Sequence, residues 1–337
     1  MMINELLDKW GRHMRVLRGM TDKSVTSYRK YVVEFINWYK EKYPRPASTM
    51  NASYGGVVFP HVRRQEIEGY LEHLFYDAGN SNSTRKTKLI CLRSFWRWML
   101  YEGVVPDDVT FGIPTPIVRS RLIQSFTRQE VIRMFSEVDI YSAKGMRDIC
   151  ILILLAFCGL RIGELCGLRL EDLADDGDYV RVHIPEDIGK KGSSRVVELW
   201  KAPSIFVRQW VAMRVSNGAG GSSSVMVSFR KGDYPTGNPL DERQIDRLVK
   251  EYADAARIRR PRITSHMFRA THASDLRYIR GYDIAAIAER LGHRNIATTD
   301  RYLPQRGRLK KEYASLREYW IDFEKIWSRG GTDGTNE

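Results

Sequence analysis

The chain has 337 residues, which is enough for two domains that each bury a hydrophobic core. Its formal net charge is +13, and both halves are basic: residues 1–125 carry a net +7 and the remainder a net +6. A basic excess spread over two domains favours an extended polyanion as the partner and argues against a single basic tail. Charge alone also fits a basic protein that has no such partner.

The cysteines and the apolar runs exclude several classes of protein. Cys91, Cys150, Cys158 and Cys166 form no Cys-x-x-Cys pair and lie in apolar sequence, so they predict buried free thiols rather than disulfides or a zinc site. The longest apolar run, residues 149–160, has 12 residues, which is too short to span a bilayer and predicts a buried core helix. No signal peptide is visible, so we expect a cytoplasmic protein with no membrane association.

Helical periodicity dominates the first hundred residues. Residues 1–43 predict two helices, and Thr21 and Ser24 are candidates to cap the second. Two further helices are predicted at 64–78 and 83–101 from apolar residues that recur at helical spacing.

Composition shifts divide the chain into segments. A helical domain is predicted over 1–112 and a second domain over 126–328, with a basic, proline-containing linker at 113–125. Residues 329–337 predict a disordered tail. The loop-like stretch 44–63 has no assigned role.

The second domain mixes helices with short β-patterned runs. Residues 127–130 open it with capping-box spacing. The runs 179–184 and 195–199 flank a basic turn and predict a β-hairpin. Residues 218–224 predict a flexible loop, and the pattern is helical from residue 241 almost to the end.

Five residues of the second domain suit the transfer of a phosphoryl group: Arg161, His266, Arg269, His293 and Tyr302. This chemistry requires a protein to position the reactants and to neutralise charge on the phosphate oxygens. Arginine is suited to both tasks, because its planar guanidinium donates two hydrogen bonds side by side and stays protonated. A tyrosine phenol has a pKa of about 10, so it needs nearby cations or a base to act as a nucleophile. The two arginines and the histidines supply both.

Each of these residues also has an ordinary structural explanation when it is taken alone. Arg161 would pair with the carboxylate three positions later, and His293 would be a solvated or capping residue after a helix-ending glycine. His266 and Arg269 share one helix face, but this spacing often arises by chance. Tyr302 is one of 17 tyrosines, most of which pack. Only the combination favours catalysis.

Longer runs carry a resemblance to a known family. Residues 157–168 resemble the first arginine box of the tyrosine recombinases, the phage integrase family, and residues 265–302 resemble the second box with matching internal spacing. The turn at 189–192 stands where the family has its catalytic lysine, and residues 24–28 and 92–98 resemble its helical core-binding module. The chain resembles the compact, Xer-like form of the family, so we expect no arm-binding domain before residue 1.

The resemblance implies a two-domain, mainly α fold. The N-terminal domain would be a helical core-binding (SAM-like) domain, and the catalytic domain would be mixed α+β with a small β-sheet. The implied function is site-specific DNA recombination, in which strands are cleaved and rejoined through a 3′-phosphotyrosyl intermediate. Neither ATP, a metal nor another cofactor is expected, because the ester conserves the bond energy.

The resemblance also implies a role for each of the five residues. Tyr302 would attack the scissile phosphate, and Arg161 and Arg269 would hold its non-bridging oxygens. His266 would assist removal of the phenol proton, and His293 would hydrogen-bond the phosphate or orient its neighbours.

The general acid for the departing 5′-oxygen would come from the basic turn. The register counted from Arg195 favours Lys190, and Lys191 is the alternative. One departure from the family pattern follows the second arginine, where Ala270 stands in place of the usual histidine. It removes no main catalytic group.

The implied partner is double-stranded DNA with inverted-repeat core sites, bound by a homo-tetramer. Basic residues on predicted helix faces are the candidates for DNA contacts: Lys86, Lys88 and Arg93 in the first domain, Arg243 and Arg247 in the second. The tail from Leu309 to Trp327 carries an apolar stripe at helical spacing, which would pack on its own domain or dock on a neighbouring protomer.

Two other functions fit parts of the sequence. A type IB topoisomerase or a telomere resolvase would use related chemistry without bringing two sites together. A DNA-binding regulator on the same fold would be expected to lack one or more of the six active-site positions, and all six are present. A metal-dependent transposase is disfavoured because no set of three carboxylates stands out.

Overall fold

The computed structural model describes residues 3–44, 62–118, 124–188, 194–230, 234–293, 295–296, 299 and 302–303. Backbone proximity divides the chain into two compact units, Met1–Ser120 and Arg121–Glu337. Both units are mainly helical, and within the described residues only the second contains β-strands. The predicted fold class is therefore confirmed. The predicted linker and the stretch 44–63 lie partly outside the described residues, and the domain boundaries stay a prediction.

The described part of the first unit consists of the helices α1 (Ile3–Val16), α2 (Asp22–Lys42), α3 (Arg64–Tyr76) and α4 (Asn82–Tyr101). They agree with the predicted helices to within a few residues. Thr21 caps α2 as expected, because its hydroxyl accepts a hydrogen bond from the Ser24 backbone N–H at 3.3 Å.

Aromatic side chains form the centre of the first unit. Phe35 of α2 is fully buried and meets Tyr70 of α3 and Trp96 of α4 edge-on, with ring centroids 5.2 and 5.6 Å apart. Trp10 of α1 packs against Phe95 in the same way at 4.9 Å. Such contacts add to the burial of apolar area, so these rings join all four helices in one core.

The second unit contains seven further α-helices among its described residues. They are α5 (Arg128–Ser136), α6 (Ala143–Phe157), α7 (Ile162–Gly167), α8 (Lys201–Arg214), α9 (Glu242–Ala255), α10 (His266–Tyr278) and α11 (Ile284–Leu291). The predicted capping box of Thr127 and Glu130 opens α5. Helix α6 is buried along residues 145–156, as its apolar sequence predicted, and forms the middle of the core.

A three-stranded antiparallel sheet in the order β1-β2-β3 covers part of this core. Strand β1 spans Leu173–Asp175, β2 spans Tyr179–Ile184 and β3 spans Arg195–Trp200. The β2–β3 pair is the predicted hairpin, and Ile184 lies opposite Arg195 at the end that leads into the basic turn. Alternate residues of β2 are buried, which is the reason its period-two pattern was visible in the sequence.

Three strands, the helix α8 and the helical turn that continues it were not predicted. Strand β1 has only three residues, and β5 (Tyr234–Pro239), which pairs with β4 (Val227–Arg230), contains two prolines and a glycine. These residues disfavour strands and hid the second hairpin. The predicted loop at 218–224 was partly wrong, because a π-helical turn continues α8 through Val215–Ala219 and Gly218 allows it to end at φ +95°.

The cysteines mostly follow the prediction. Cys91, Cys150 and Cys158 are buried, whereas Cys166 is partly exposed. Burial raises the pKa of the Cys158 thiol to about 12, which leaves it protonated and unreactive at neutral pH. No helix in the described ranges combines the length and the apolar character that crossing a membrane requires.

The aromatic core predicts a large effect of truncating Phe35. We expect Phe35→Ala to lower the free energy of unfolding by about 3–5 kcal/mol, because it removes a fully buried ring and leaves a cavity. Urea unfolding followed by circular dichroism measures this change. Val33→Ala, on the exposed side of the same helix, is the control, and a loss as small as that of the control would contradict the packing described.

Candidate active site

Arg161 is positioned by the turn that joins α6 to α7. Gly159 adopts the left-handed conformation with φ +59°, and a Cβ at this position would lie 2.6 Å from the His272 ring. Both features exclude a side chain here. Arg161 then caps α7: its backbone N–H donates to Glu164 Oε2 at 2.8 Å and its Nη1 donates to Glu164 Oε1 at 2.5 Å.

Glu164 is a buried carboxylate shared by three arginines. Besides Arg161, it accepts two hydrogen bonds from Arg195 of β3, at 3.1 and 2.7 Å, and Arg269 Nη1 lies 3.9 Å from its Oε2. Burial alone would raise the pKa of Glu164, but the bond to Arg195 and the neighbouring positive charges lower it to about 2. The carboxylate is therefore ionised throughout the neutral range.

Arg269 lies on α10 and is completely buried. Its Nη1 donates to the Gly159 carbonyl at 2.6 Å and its Nη2 donates to the Leu291 carbonyl, whereas its Nε–H has no acceptor among the described residues. Burial, aided by the charge of Arg161, lowers the pKa of Arg269 to about 9, so the guanidinium stays protonated at neutral pH.

Carbonyl groups at the C-terminal end of α11 accept hydrogen bonds from both arginines. Gly292 ends the helix in the left-handed conformation, as predicted, and its carbonyl accepts a hydrogen bond from Arg161 Nη2 at 2.8 Å. The Leu291 carbonyl is the acceptor for Arg269. Carbonyl groups at a helix C-terminus carry partial negative charge and favour cations, so this end holds two guanidinium groups together.

His293 follows directly and is held between the helix and Thr299. Its backbone N–H donates to the Ala288 carbonyl at 2.8 Å, and its Nδ1 is 2.9 Å from the Thr299 hydroxyl. Burial lowers the pKa of His293 to about 3, and the charges of Arg269 and Arg161 act in the same direction. The imidazole is therefore neutral at neutral pH.

Tyr302 completes the cluster. Its side chain is almost fully buried, and its hydroxyl lies 2.5 Å from His266 Nε2. The Tyr302 ring also lies against His293, with centroids 5.2 Å apart. Five of the six predicted site residues thus meet in one place. The sixth, Lys190, and its alternative Lys191 lie outside the described residues.

Three residues of this cluster were missed or undervalued in the sequence. Glu164 was noted only as a surface partner of Arg161, and Arg195 only as a register marker for the hairpin. His272 was not singled out, although it follows Arg269 by three positions and lies on the same helix face. The Glu164–Arg195 pairing joins residues 31 positions apart, and no local pattern signals it.

The predicted DNA contacts fall into two groups. Lys88 was predicted to contact DNA, and the structure contradicts this: Lys88 is buried, and its ammonium pairs with Glu34. The Arg93 guanidinium donates to Thr115 and to the Ile113 carbonyl within its own unit, which argues against a contact with DNA. Lys86 is partly exposed, and Arg243 and Arg247 are exposed one turn apart on α9. These three stay candidates.

Among the described residues, no group of three or more His, Cys, Asp or Glu side chains is placed to hold a metal ion.

Comparison with known proteins identifies the family. The model of the phage integrase family matches residues 124–307, and the model of the phage integrase N-terminal SAM-like domain matches residues 6–104. A tyrosine recombinase of Pseudothermotoga lettingae is 26% identical over 304 residues, which cover 89% of this chain and 94% of that relative. Tyrosine recombinase XerC of Myxococcus xanthus is 26% identical over 307 residues, covering 89% and 93%.

A solved structure shares the fold. The lambda integrase tetramer bound to a Holliday junction has a TM-score of 0.63 at 17% identity, and the match covers 90% of this chain and 78% of that one. The chain belongs to the phage integrase family, whose catalytic model spans more than half of its length. It is a site-specific recombinase, and the prediction made from the arginine boxes is confirmed.

Burial of His272 predicts a pH-dependent stability. Burial lowers the pKa of His272 to about 3, so at mildly acidic pH only the unfolded chain takes up this proton. The free energy of unfolding should therefore fall as the pH decreases through the ordinary histidine value of about 6.5. Between pH 7.5 and 5.5 this residue contributes a loss of about 1.4 kcal/mol.

Urea unfolding of the wild type and of His272→Gln at both pH values measures this contribution. The variant should lose less stability than the wild type on acidification. His183→Gln, at an exposed histidine of the same unit, is the control. Equal losses in the wild type and in His272→Gln would show that His272 does not resist protonation in the folded state.

Proposed function

We propose that this recombinase cleaves DNA by attack of the Tyr302 hydroxyl on the scissile phosphate, which gives a 3′-phosphotyrosyl link and a free 5′-hydroxyl. The observation that carries the proposal is the 2.5 Å contact between the Tyr302 hydroxyl and His266 Nε2, in a cluster with the buried guanidinium of Arg269 and the partly buried guanidinium of Arg161. A phenol becomes a competent nucleophile when a base takes its proton and cations stabilise the phenolate. Both are present here.

The two arginines are suited to hold the non-bridging oxygens of the phosphate. Each guanidinium has five N–H donors, and the protein acceptors described above occupy only some of them. The buried Nε–H group of Arg269 has no acceptor among the described residues. Buried donors without partners are costly, so this cluster favours an anion with several oxygens, and its fixed charges stabilise the transition state.

The two histidines have different roles in this proposal. His266 is exposed and accepts the phenol proton at Nε2. His293 is neutral because its pKa is lowered to about 3, so it acts as a hydrogen-bonding group and not as a cation. With Nδ1 accepting from Thr299, its Nε2 carries the proton and can donate to a phosphate oxygen.

Protonation of the departing 5′-oxygen balances the reaction. We assign this step to Lys190, with Lys191 as the alternative, on the family resemblance of the basic turn. The phosphodiester bond to the 5′-oxygen breaks as the bond to Tyr302 forms. The 5′-hydroxyl of a partner strand then reverses the step, so that no external energy source is consumed.

The substrate in this proposal is double-stranded DNA with inverted-repeat core sites, bound by four copies of the chain. The net charge of +13, spread over both halves, supports a long polyanion. The related lambda integrase forms a tetramer on a Holliday junction, which supports the same assembly here. A DNA substrate of this kind places the protein with the nucleoid in the cytoplasm. The tail from Leu309 to Trp327 lies outside the described residues; it would dock on a neighbouring protomer or pack on its own domain.

The nucleophile is tested with a nicked suicide substrate that traps the covalent adduct. Tyr302→Phe should abolish the adduct, because it removes the attacking oxygen and leaves the ring in place. Denaturing gel electrophoresis measures the shifted band. Tyr282→Phe, which loses a hydroxyl in the same small cluster, is the matched control and should keep the adduct. An undiminished adduct with Tyr302→Phe would rule out Tyr302 as the nucleophile.

The DNA contacts of α9 are tested by salt dependence. If Arg243 and Arg247 each contact one phosphate, each substitution by Gln should weaken binding and reduce the slope of log K against log salt by about 0.9. Fluorescence anisotropy at several salt concentrations measures the slope. Arg208→Gln removes an arginine that is paired with Asp175 and serves as the control. An unchanged slope in both α9 variants would exclude these contacts.

A further inference from the structure

A third arginine belongs to the site, although none of the chemical steps above uses it. Arg195 begins β3, and its side chain is only 7% exposed. Its two Nη atoms bind the two oxygens of Glu164 at 3.1 and 2.7 Å, which is the fork-to-fork geometry of a strong arginine–carboxylate pair. Both ends of this pair are buried, so solvent screens it little.

Arg195 competes with Arg269 for the same carboxylate oxygen. Glu164 Oε2 lies 2.7 Å from Arg195 Nη2 and 3.9 Å from Arg269 Nη1. Arg269 instead directs its Nη atoms to the carbonyls of Gly159 and Leu291, which are neutral acceptors. Its full positive charge is therefore left for an anionic ligand, because Arg195 already neutralises the carboxylate.

The pair also joins two elements of the site. Glu164 accepts hydrogen bonds from the backbone and the side chain of Arg161, and it is also held to β3 through its pair with Arg195. The bidentate pair fixes the distance and the relative orientation of the Arg195 guanidinium and the Glu164 carboxylate. The Arg161 side chain therefore cannot rotate without moving a carboxylate that is held by β3.

We propose that Arg195 is a positioning residue for strand cleavage: it occupies Glu164 and so keeps Arg269 and Arg161 available for the scissile phosphate. The proposal rests on the function proposed above. Without Arg195, the buried carboxylate would turn to its next cation, Arg269, and draw it away from the phosphate. Arg195 itself would touch neither the DNA nor the reacting atoms.

Single-turnover cleavage of the suicide substrate by the full chain, at saturating enzyme, tests this. Arg195→Gln should cleave about 100-fold more slowly than the wild type, the size of effect expected when a catalytic group is misplaced by about 1 Å. Arg208→Gln, which breaks an exposed bidentate pair with Asp175 in the same unit, is the matched control and should cleave at the wild-type rate. A rate for Arg195→Gln within about threefold of the control would overturn the proposal.

A substrate with a methylphosphonate at the scissile position separates positioning from a general structural defect. This group lacks one negative charge, so its cleavage depends less on Arg269 and Arg161. The defect of Arg195→Gln should shrink at least tenfold on it, as should the defect of Arg161→Ala. An equal defect on both substrates would mean that Arg195 only supports the fold, and the proposal would be wrong.

A double variant keeps the test valid if Arg195→Gln does not fold. Glu164→Gln removes the carboxylate that would otherwise bind Arg269. The double variant Glu164→Gln/Arg195→Gln removes both charges of the pair, so neither is left buried without its partner. Once Glu164 is neutral, adding Arg195→Gln should change the cleavage rate less than threefold. A further large loss would show that Arg195 contacts the phosphate itself and would overturn the positioning role. Tyr302→Phe is run beside these variants, because a persisting adduct would reject the proposed function and not this inference.

Discussion

The site depends on one buried carboxylate that three arginines share. Glu164 is ionised, closed to solvent and hydrogen-bonded to Arg161 and Arg195, and Arg269 Nη1 lies 3.9 Å from its Oε2. A buried carboxylate without partners would be strongly destabilising, and so would the buried guanidinium groups of Arg195 and Arg269 without a counter-charge. Their assembly leaves a net positive charge in a region of low dielectric. An anion that enters this region is attracted more strongly than it would be at the protein surface.

Backbone geometry at two glycines makes this concentration of charge possible. Gly159 turns the chain so that its own carbonyl meets Arg269, and Gly292 ends α11 so that its carbonyl meets Arg161. Both adopt left-handed conformations that a side chain would strain. The arginines are thus oriented by main-chain acceptors, which are fixed by the helices that carry them. A site held in this way needs little rearrangement when the reaction begins.

Local patterns predicted most of the elements and failed where packing outweighed them. The caps at Thr21 and Thr127 and the alternation in β2 depend on neighbouring residues, and the structure has all three. Strand β5 contains two prolines, yet it pairs with β4, because strand formation depends on the tertiary context more than on local propensity. Lys88 follows a basic helix pattern, yet it is buried because Glu34, 54 positions earlier, neutralises it. The helical periodicity around Lys88 gives no information about a partner that is so distant in the sequence.

The sequence by itself brought five residues into one hypothesis, because the arginines, histidines and tyrosine occur in two boxes with characteristic spacing. It did not reveal the roles of Glu164 and Arg195. Gly292 before His293 also determined that a helix ends there. Only the tertiary structure decided which groups touch. The contact of Tyr302 with His266 spans 36 positions and that of Arg161 with Gly292 spans 131. Such contacts form when separate helices pack in one core, and the pairing of Glu164 with Arg195 arises in the same way.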